Sequence, residues 1–170
     1  MITPAHAQLM AAYNAWQNDS LYRAASGLDD GARRRDRGAF FGSIHETLSH
    51  VLWGDRIWLS RFSDHPAPAG GIAQSVDLYT DWNALCAGRA ETDRFILAWA
   101  DGLRAGDLEG GLSWFSGAVG RELTRPKWVL VTHFFNHQTH HRGQVHAMLT
   151  AADARADDTD IPFMPGRFDT

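Results

Sequence analysis

Residues 43–62 read SIHETLSHVLWGDRIWLSRF, and their spacing predicts a helix. Ile44, Leu48, Val51, Leu52, Trp58, Leu59 and Phe62 recur at intervals of three and four, which draws one apolar stripe along a helix. Ser43 stands where a side-chain oxygen accepts a free N–H of the first turn. Glu46, three residues on, completes a capping box. Ser63-Asp64-His65-Pro66-Ala67-Pro68 stops the helix, and Gly70-Gly71 extends the loop. Asp55 interrupts the stripe, and a carboxylate there calls for a buried pairing with Arg56 or an arginine from elsewhere.

Working outward, Leu9, Ala12, Tyr13 and Trp16 share one face of a first helix from Pro4 to about Gln17, with proline suited to the opening turn. Asn18, Asp19 and Ser20 break that pattern, Leu21 to Leu28 add a short helix, and Asp29 to Arg37 form a polar loop. A third helix is expected from Leu78 to Leu103, with Leu78, Trp82, Leu85, Cys86, Ile96, Leu97, Ala100 and Leu103 facing inward. Leu112 to Phe115 and Arg121 to Thr124 flank Gly117 to Gly120 as a small hairpin. Pro126 then opens a fourth helix that runs to about Ala152. The tail from Asp153 carries five acidic residues and two prolines, and packs through Ile161, Phe163, Met164 and Phe168. Four long amphipathic helices define an all-α fold, a four-helix bundle with a small hairpin before its last helix. No repeat or linker divides the chain, so residues 1–170 read as a single domain.

Composition excludes several classes of function. A net charge of -4 and a pI near 6.1 provide no basic field for nucleic acid. The basic run Arg33-Arg34-Arg35 with Arg37 sits among Asp29, Asp30 and Asp36 and reads as a solvated turn. Cys86 is the sole cysteine, so no intramolecular disulfide forms; it reads as a buried, inert thiol, and a reducing cytoplasm fits. Met1 to Leu9 lacks the basic start and apolar run of a signal peptide. Nowhere do about 18 apolar residues run together, so no membrane span is expected. The expectation is a soluble, cytoplasmic domain.

The histidines carry the chemistry. There are nine, five of them between His133 and His146. On a helix His137 and His141 stand one turn apart on one side, His133 lies a turn below, and Gln144 shares that side. Leu130, Phe134, Val145 and Met148 are on it too, so the histidine stripe faces inward. A lone core histidine is usually satisfied by a polar neighbour. An HxxxH pair with a further histidine on another helix favours a metal, because each buried imidazole needs a partner. His50 lies off the main stripe of its helix, near Trp53 and Ile57, and Gly54 one turn on leaves room for a ligand. His45-Glu46 does not make the HExxH signature, because the second histidine is at 50 and points elsewhere. A di-iron carboxylate site is excluded by the lack of Glu-x-x-His in the fourth helix.

Two stretches carry a family resemblance. Leu48-Ser49-His50-Val51-Leu52-Trp53-Gly54-Asp55-Arg56-Ile57-Trp58-Leu59 resembles the second helix of the DinB/YfiT-like damage-inducible family. Asn136-His137-Gln138-Thr139-His140-His141-Arg142-Gly143-Gln144 is similar to its signature NHxTHHRGQ, and Tyr13 to Asn18 is similar to its first helix. The resemblance implies an up-down-down-up bundle, commonly a homodimer, with His50, His137 and His141 as metal ligands. It places His140, Arg142 and Gln144 in a supporting shell or elsewhere. Related branches include thiol-dependent S-transferases and a mycothiol-dependent isomerase.

Three imidazoles would leave a divalent ion an open position, the layout of catalytic rather than structural sites. The leading expectation is a metal-dependent enzyme acting with a low-molecular-weight thiol, S-transferase-like, in which His133 or Gln144 orients the substrate. Trp53, Trp58 and Phe134 are candidates to line an apolar pocket or to pack in the core. The alternatives are a metal-binding stress-response protein without turnover and a metal-dependent hydrolase. One divalent ion per chain is expected, with zinc, nickel or iron all suited to imidazole. Expected partners are a second copy of the chain and a small molecule, with neither nucleic acid nor membrane.

Overall fold

The computed structural model describes residues 1–166. Five α-helices, α1 (Pro4–Ser26), α2 (Asp30–Arg34), α3 (Ile44–Phe62), α4 (Trp82–Gly102) and α5 (Lys127–Thr150), are joined by short 3₁₀ turns and one hairpin of β1 (Gly111–Ser116) and β2 (Arg121–Pro126). The capping box of α3 forms as its sequence requires: Glu46 N–H donates to Ser43 Oγ at 3.2 Å, and Ser43 N–H donates to Glu46 Oε2 at 3.1 Å. Thr3, Asp29 and Asp81 likewise cap α1, α2 and α4. The hairpin is antiparallel, with Trp114 opposite Leu123, and it leads straight into α5.

The fold is mostly helical with this one small sheet. Each of the four long helices packs against two others, α1 on α4 and α5, and α3 on the same two. Contacts fix their directions. Asn14 and Asn18 of α1 meet Asp93 of α4, while Ser26 meets Trp82, so α1 and α4 are antiparallel. Asp55 meets Arg89 and Phe62 meets Trp99, so α3 and α4 are parallel. His50 meets His141 and Phe62 meets Phe134, so α3 and α5 are antiparallel.

Two apolar clusters fill the interior. Leu21, Ala25, Ile44, Leu48, Leu52, Leu85, Val145 and Leu149 pack at one end, and Ala7, Ala11, Leu59, Ile96, Ala100, Val131, Phe134 and Phe135 at the other. Between them lies a buried polar belt. Arg89 donates to Asp55 at 2.5 Å and pairs with Asp93 at 2.8 Å. Asn14 and Asn18 donate to Asp93, Gln138 donates to Asp55 at 2.8 Å, and Arg142 donates to Asn14. Burial pushes the carboxyls of Asp55 and Asp93 up in pKa, and Arg89 between them pulls both back down. Asp55 thus takes its arginine from α4. Losing any one partner would leave a buried charge uncompensated, so the belt pins the register of all four helices.

Several local expectations are corrected. Helix α1 does not stop at Gln17 but continues to Ser26, through Asn18-Asp19-Ser20. Those polar residues are not a break: Asn18 and Ser20 are buried, Asn18 bonded to Asp93 and Ser20 accepting from the Asp157 N–H at 2.7 Å. The loop from Asp29 contains α2, and Arg33 is buried rather than solvated, donating to the carbonyls of Ala25 and Leu28 at the end of α1. Helix α4 begins at Trp82, four residues later than its apolar pattern suggests, because Asp81 caps it there. Ile72–Asp77 forms a 3₁₀ turn. The tail lies along α1, with Tyr13 Oη and Gln17 Nε2 each donating at 2.8 Å to the carbonyls of Thr159 and Asp158. Met164 is buried but Phe163 is exposed, and Phe168 lies outside the described residues.

Candidate metal centre

His50 projects from α3 across to His137 and His141, which stand one turn apart on α5. The belt behind them sets this alignment, since Asp55 and Gln138, each beside the site in sequence, are bonded to one another. Space comes from Gly54. A Cβ added there would lie 3.0 Å from His137 Cε1, tighter than nine in ten real Cβ contacts, so the His137 ring crowds the volume a side chain would fill.

One ligand nitrogen from each of His50, His137 and His141 lies within 4.8 Å of the other two, a grouping that can hold a metal ion. The Nε2 atoms of His50 and His137 face each other at 3.3 Å. Two nitrogens bound at about 2.0–2.1 Å to one tetrahedral ion would stand about 3.3–3.4 Å apart. The other ring nitrogens are committed. Ser75 Oγ donates its only proton to Ile72 O at 2.6 Å, so it accepts from His50 Nδ1–H at 2.8 Å. Gln144 Oε1 accepts from His141 Nδ1–H at 2.8 Å. Each bond leaves Nε2 of that ring with a free lone pair, the tautomer a metal ligand needs. The residues therefore fit a divalent ion.

Electrostatics agree with that tautomer. Burial, with the neighbouring His141 adding to it, lowers the pKa of His50 to about 4. Burial and the surrounding histidines lower that of His137 to about 3. The pKa of His141 is lowered, chiefly by burial and against the Gln144 bond. At neutral pH the three rings are uncharged.

A cleft of about 370 Å³ opens beside the histidines. Its lining includes His50, His137, His133, Trp53, Ile57 and Trp58, with Trp114 and Ser116 to Ala118 of the hairpin as the opposite wall. His133 is exposed and stacks edge-on against Trp58 at 5.2 Å between centroids. His140 is exposed and meets His141 edge-on at 4.9 Å between centroids. Arg142 is buried and points away from the triad toward Asn14, so it belongs to the polar belt. Phe134 packs in the apolar core with Phe62 and Trp99 rather than in the cleft. His45 Nε2–H donates to the carbonyl of Tyr79 at 2.8 Å and takes no part in the triad.

Four residues of the site escaped the sequence reading. Phe41 stacks on His50 with centroids 3.9 Å apart, Ser75 fixes its tautomer, and Trp114 and Arg61 line the cleft. Ser75 and Phe41 sit in stretches with no periodicity, and nothing in the sequence marks them. Arg61 carried a signal: it is eleven residues from His50, which on a helix is the same face.

A helical protein whose two antiparallel neighbours α3 and α5 converge three imidazoles beside a walled cleft is a candidate metalloprotein of the three-histidine class. The chain belongs to the DinB family, whose model matches residues 1–165. Among solved structures it is similar to a DinB-like protein from Bacillus cereus ATCC 10987, at 17% identity, covering 84% of this chain and 90% of that one, with a TM-score of 0.48. No curated protein matches it.

Proposed function

We propose that the protein binds one divalent metal ion through His50, His137 and His141 and acts with a low-molecular-weight thiol as an S-transferase-like enzyme. The observation that carries this reading is the pairing of a three-nitrogen ligand set, with His50 and His141 tautomers fixed by Ser75 and Gln144, with an adjoining cleft. A closed structural site would be expected to take a fourth protein ligand, and among the described residues only these three histidines form such a group. When bound, the ion supplies positive charge that lowers the pKa of a thiol and favours its nucleophilic form near neutral pH.

The chain's own residues do the rest. Ser75 and Gln144 hold ring nitrogens in register, Phe41 covers one face of His50, and Trp53 and Trp58 wall the cleft against water. The nearest belt carboxylate, Asp55, is committed to Arg89 and Gln138, so it is not free to act as the general base a hydrolase would need. The four long helices support an up-down-down-up four-helix bundle as scaffold, and the bundle is proposed to pair with a second copy. No helix among the described residues is long and apolar enough to cross a membrane, which accords with a proposed site of action in the cytoplasm. Metal analysis of untagged protein purified without added metal, followed by a thiol-panel activity screen on that sample, tests the reading. About one ion per chain with thiol-dependent turnover is expected; metal-free, active protein would overturn it.

A further inference from the structure

The cleft beside the histidines contains a single formal charge, and it is unused. Among its lining residues only Arg61 is ionic at every physiological pH. Its guanidinium lies over the Trp58 ring at 4.4 Å and near the Trp114 ring at 5.8 Å. Among the described residues no carboxylate forms an ion pair with it. Burial lowers its pKa, and the faces of Trp58 and Trp114 carry part of its charge. Lys127 and Asp107 lie with Arg61 around a second cavity on its far side, and neither pairs with it there. The cation–π contacts offset part of its desolvation, but among the described residues no anion neutralises the charge. A surface arginine serving only solubility would project into water instead.

Position gives the unused charge a purpose. His50, Gly54, Ile57 and Arg61 fall on one face of α3, at offsets of four, seven and eleven. Gly54, which seats His137, and Arg61 are seven residues apart, about 10 Å along the axis. Trp58, Ile57 and Trp114 line the interval. We infer that Arg61 is the specificity-determining residue of the cleft, binding the carboxylate of a small monoanionic substrate whose other end reaches the three-histidine centre along this face of α3. A carboxylate suits a planar guanidinium held flat against an aromatic ring, since it can be gripped through two parallel hydrogen bonds. A phosphate, with its higher charge, would call for a second cation, and the cleft lining offers none. The aliphatic or aromatic middle of the molecule would then lie against the tryptophans. This inference rests on the cleft being the substrate site of the proposed function and names the class of compound that fills it.

Intrinsic tryptophan fluorescence reads binding directly, because Trp58 and Trp114 flank Arg61. The probes are mercaptohexanoate, mercaptohexanol and hexanoate, titrated into zinc-loaded and metal-free full-length protein. A charge-assisted bond of this kind corresponds to about tenfold or more in affinity. Mercaptohexanoate should therefore bind about tenfold more tightly than mercaptohexanol. Arg61→Met should erase that preference, and Arg61→Lys should restore part of it, with metal content unchanged in both. The wild-type comparison of carboxylate with alcohol needs no variant, so a misfolded Arg61→Met cannot hide the answer. Equal affinity for the two thiols, or a preference that survives Arg61→Met, overturns the inference. The proposed function fails differently: carboxylate preference without any gain from the thiol or from zinc removes the thiol reading and leaves Arg61 in its role. A zinc-dependent gain from the thiol without carboxylate preference does the reverse. No binding by any probe overturns the inference.

Discussion

Gly54 on α3 and His137 on α5 form a socket and its occupant: the ring carbon Cε1 of His137 lies 3.0 Å from where a Gly54 Cβ would be. Adding that methyl requires the ring to give by a few tenths of an ångström, which disturbs its 3.3 Å approach to His50 Nε2. Gly54→Ala is thus expected to damage the metal site while improving helix propensity, since alanine favours a helix interior over glycine by about 1 kcal/mol. Circular dichroism should show an intact, equally or more stable helical protein. Metal titration should show affinity reduced by about tenfold or more, the scale on which misplaced ligand shells act. Wild-type affinity in Gly54→Ala would show that the His137 ring yields without cost and that the site does not depend on the glycine.

The ligand set itself is checked by truncation. His50→Ala, His137→Ala and His141→Ala should each lose most bound metal, because two imidazoles make a poor site. His146→Ala should retain it, since His146 lies with Tyr13, Gln17 and Arg142 around a different cavity, away from the triad. Elemental analysis of the four variants decides the matter, and equal stoichiometry in all of them would sink the assignment.

Ser75 offers a sharper test, because nothing in its sequence surroundings distinguishes it. Its hydroxyl accepts from His50 Nδ1–H and passes its own proton to Ile72 O. Ser75→Ala should free the imidazole to rotate or change tautomer, weakening metal binding by about 10–100-fold with all three ligands present. Competition against a chelator of known affinity measures this. An unchanged constant would mean that packing by Phe41 alone orients the ring.

What the sequence made legible was local. The Ser43–Glu46 cap, the apolar stripe of α3, the hairpin and the HxxxH pair each depend on residues a few positions apart, and each appears in the structure. What stayed hidden depends on distant partners. Asn18 and Ser20 looked like helix breakers because their bonding partners, Asp93 and Asp157, lie 75 and 137 residues away. Arg33 looked solvated because the aspartates beside it in sequence suggested an exposed turn, whereas its acceptors are the carbonyls of Ala25 and Leu28. The place of Arg142 had the same cause. Its motif position left a supporting shell or a place elsewhere open, and the side-chain oxygen that claims it belongs to Asn14, 128 residues earlier.

Association is expected from the surface as well as from the family resemblance. All seven tryptophans are at least partly buried within the chain, yet Phe40, Phe115 and Phe163 are 82%, 64% and 63% exposed. These three rings are apolar surface available for burial against a second copy of the chain, the association the family resemblance implies. Light scattering should give twice the 18.9 kDa chain mass. A monomer mass at every concentration tested would contradict the dimer.

Acid should act on the protein in two separable ways. In the unfolded chain a histidine titrates near about 6.5, whereas burial holds His50 near 4 and His137 near 3 in the folded, metal-free protein. Above that window both states leave these rings neutral, and they contribute no pH dependence. Within it the unfolded chain takes up protons that the folded chain refuses, so stability falls as pH is lowered. The metal-free protein should accordingly melt at progressively lower temperature from about pH 6.5 downward. Bound metal adds a second effect, because protons compete with the ion for the same lone pairs. The loaded protein should hold its metal through the ordinary histidine range and release it at lower pH, taking up more than one proton per ion lost. A chelator at neutral pH separates the two, since it removes the ion without protonating the rings. The buried belt and both apolar clusters are built from residues other than the three histidines, so chelation should cost only a modest part of the melting temperature. Metal release with no net proton uptake, or a metal-free melting temperature flat across the window, would remove the histidines from the centre.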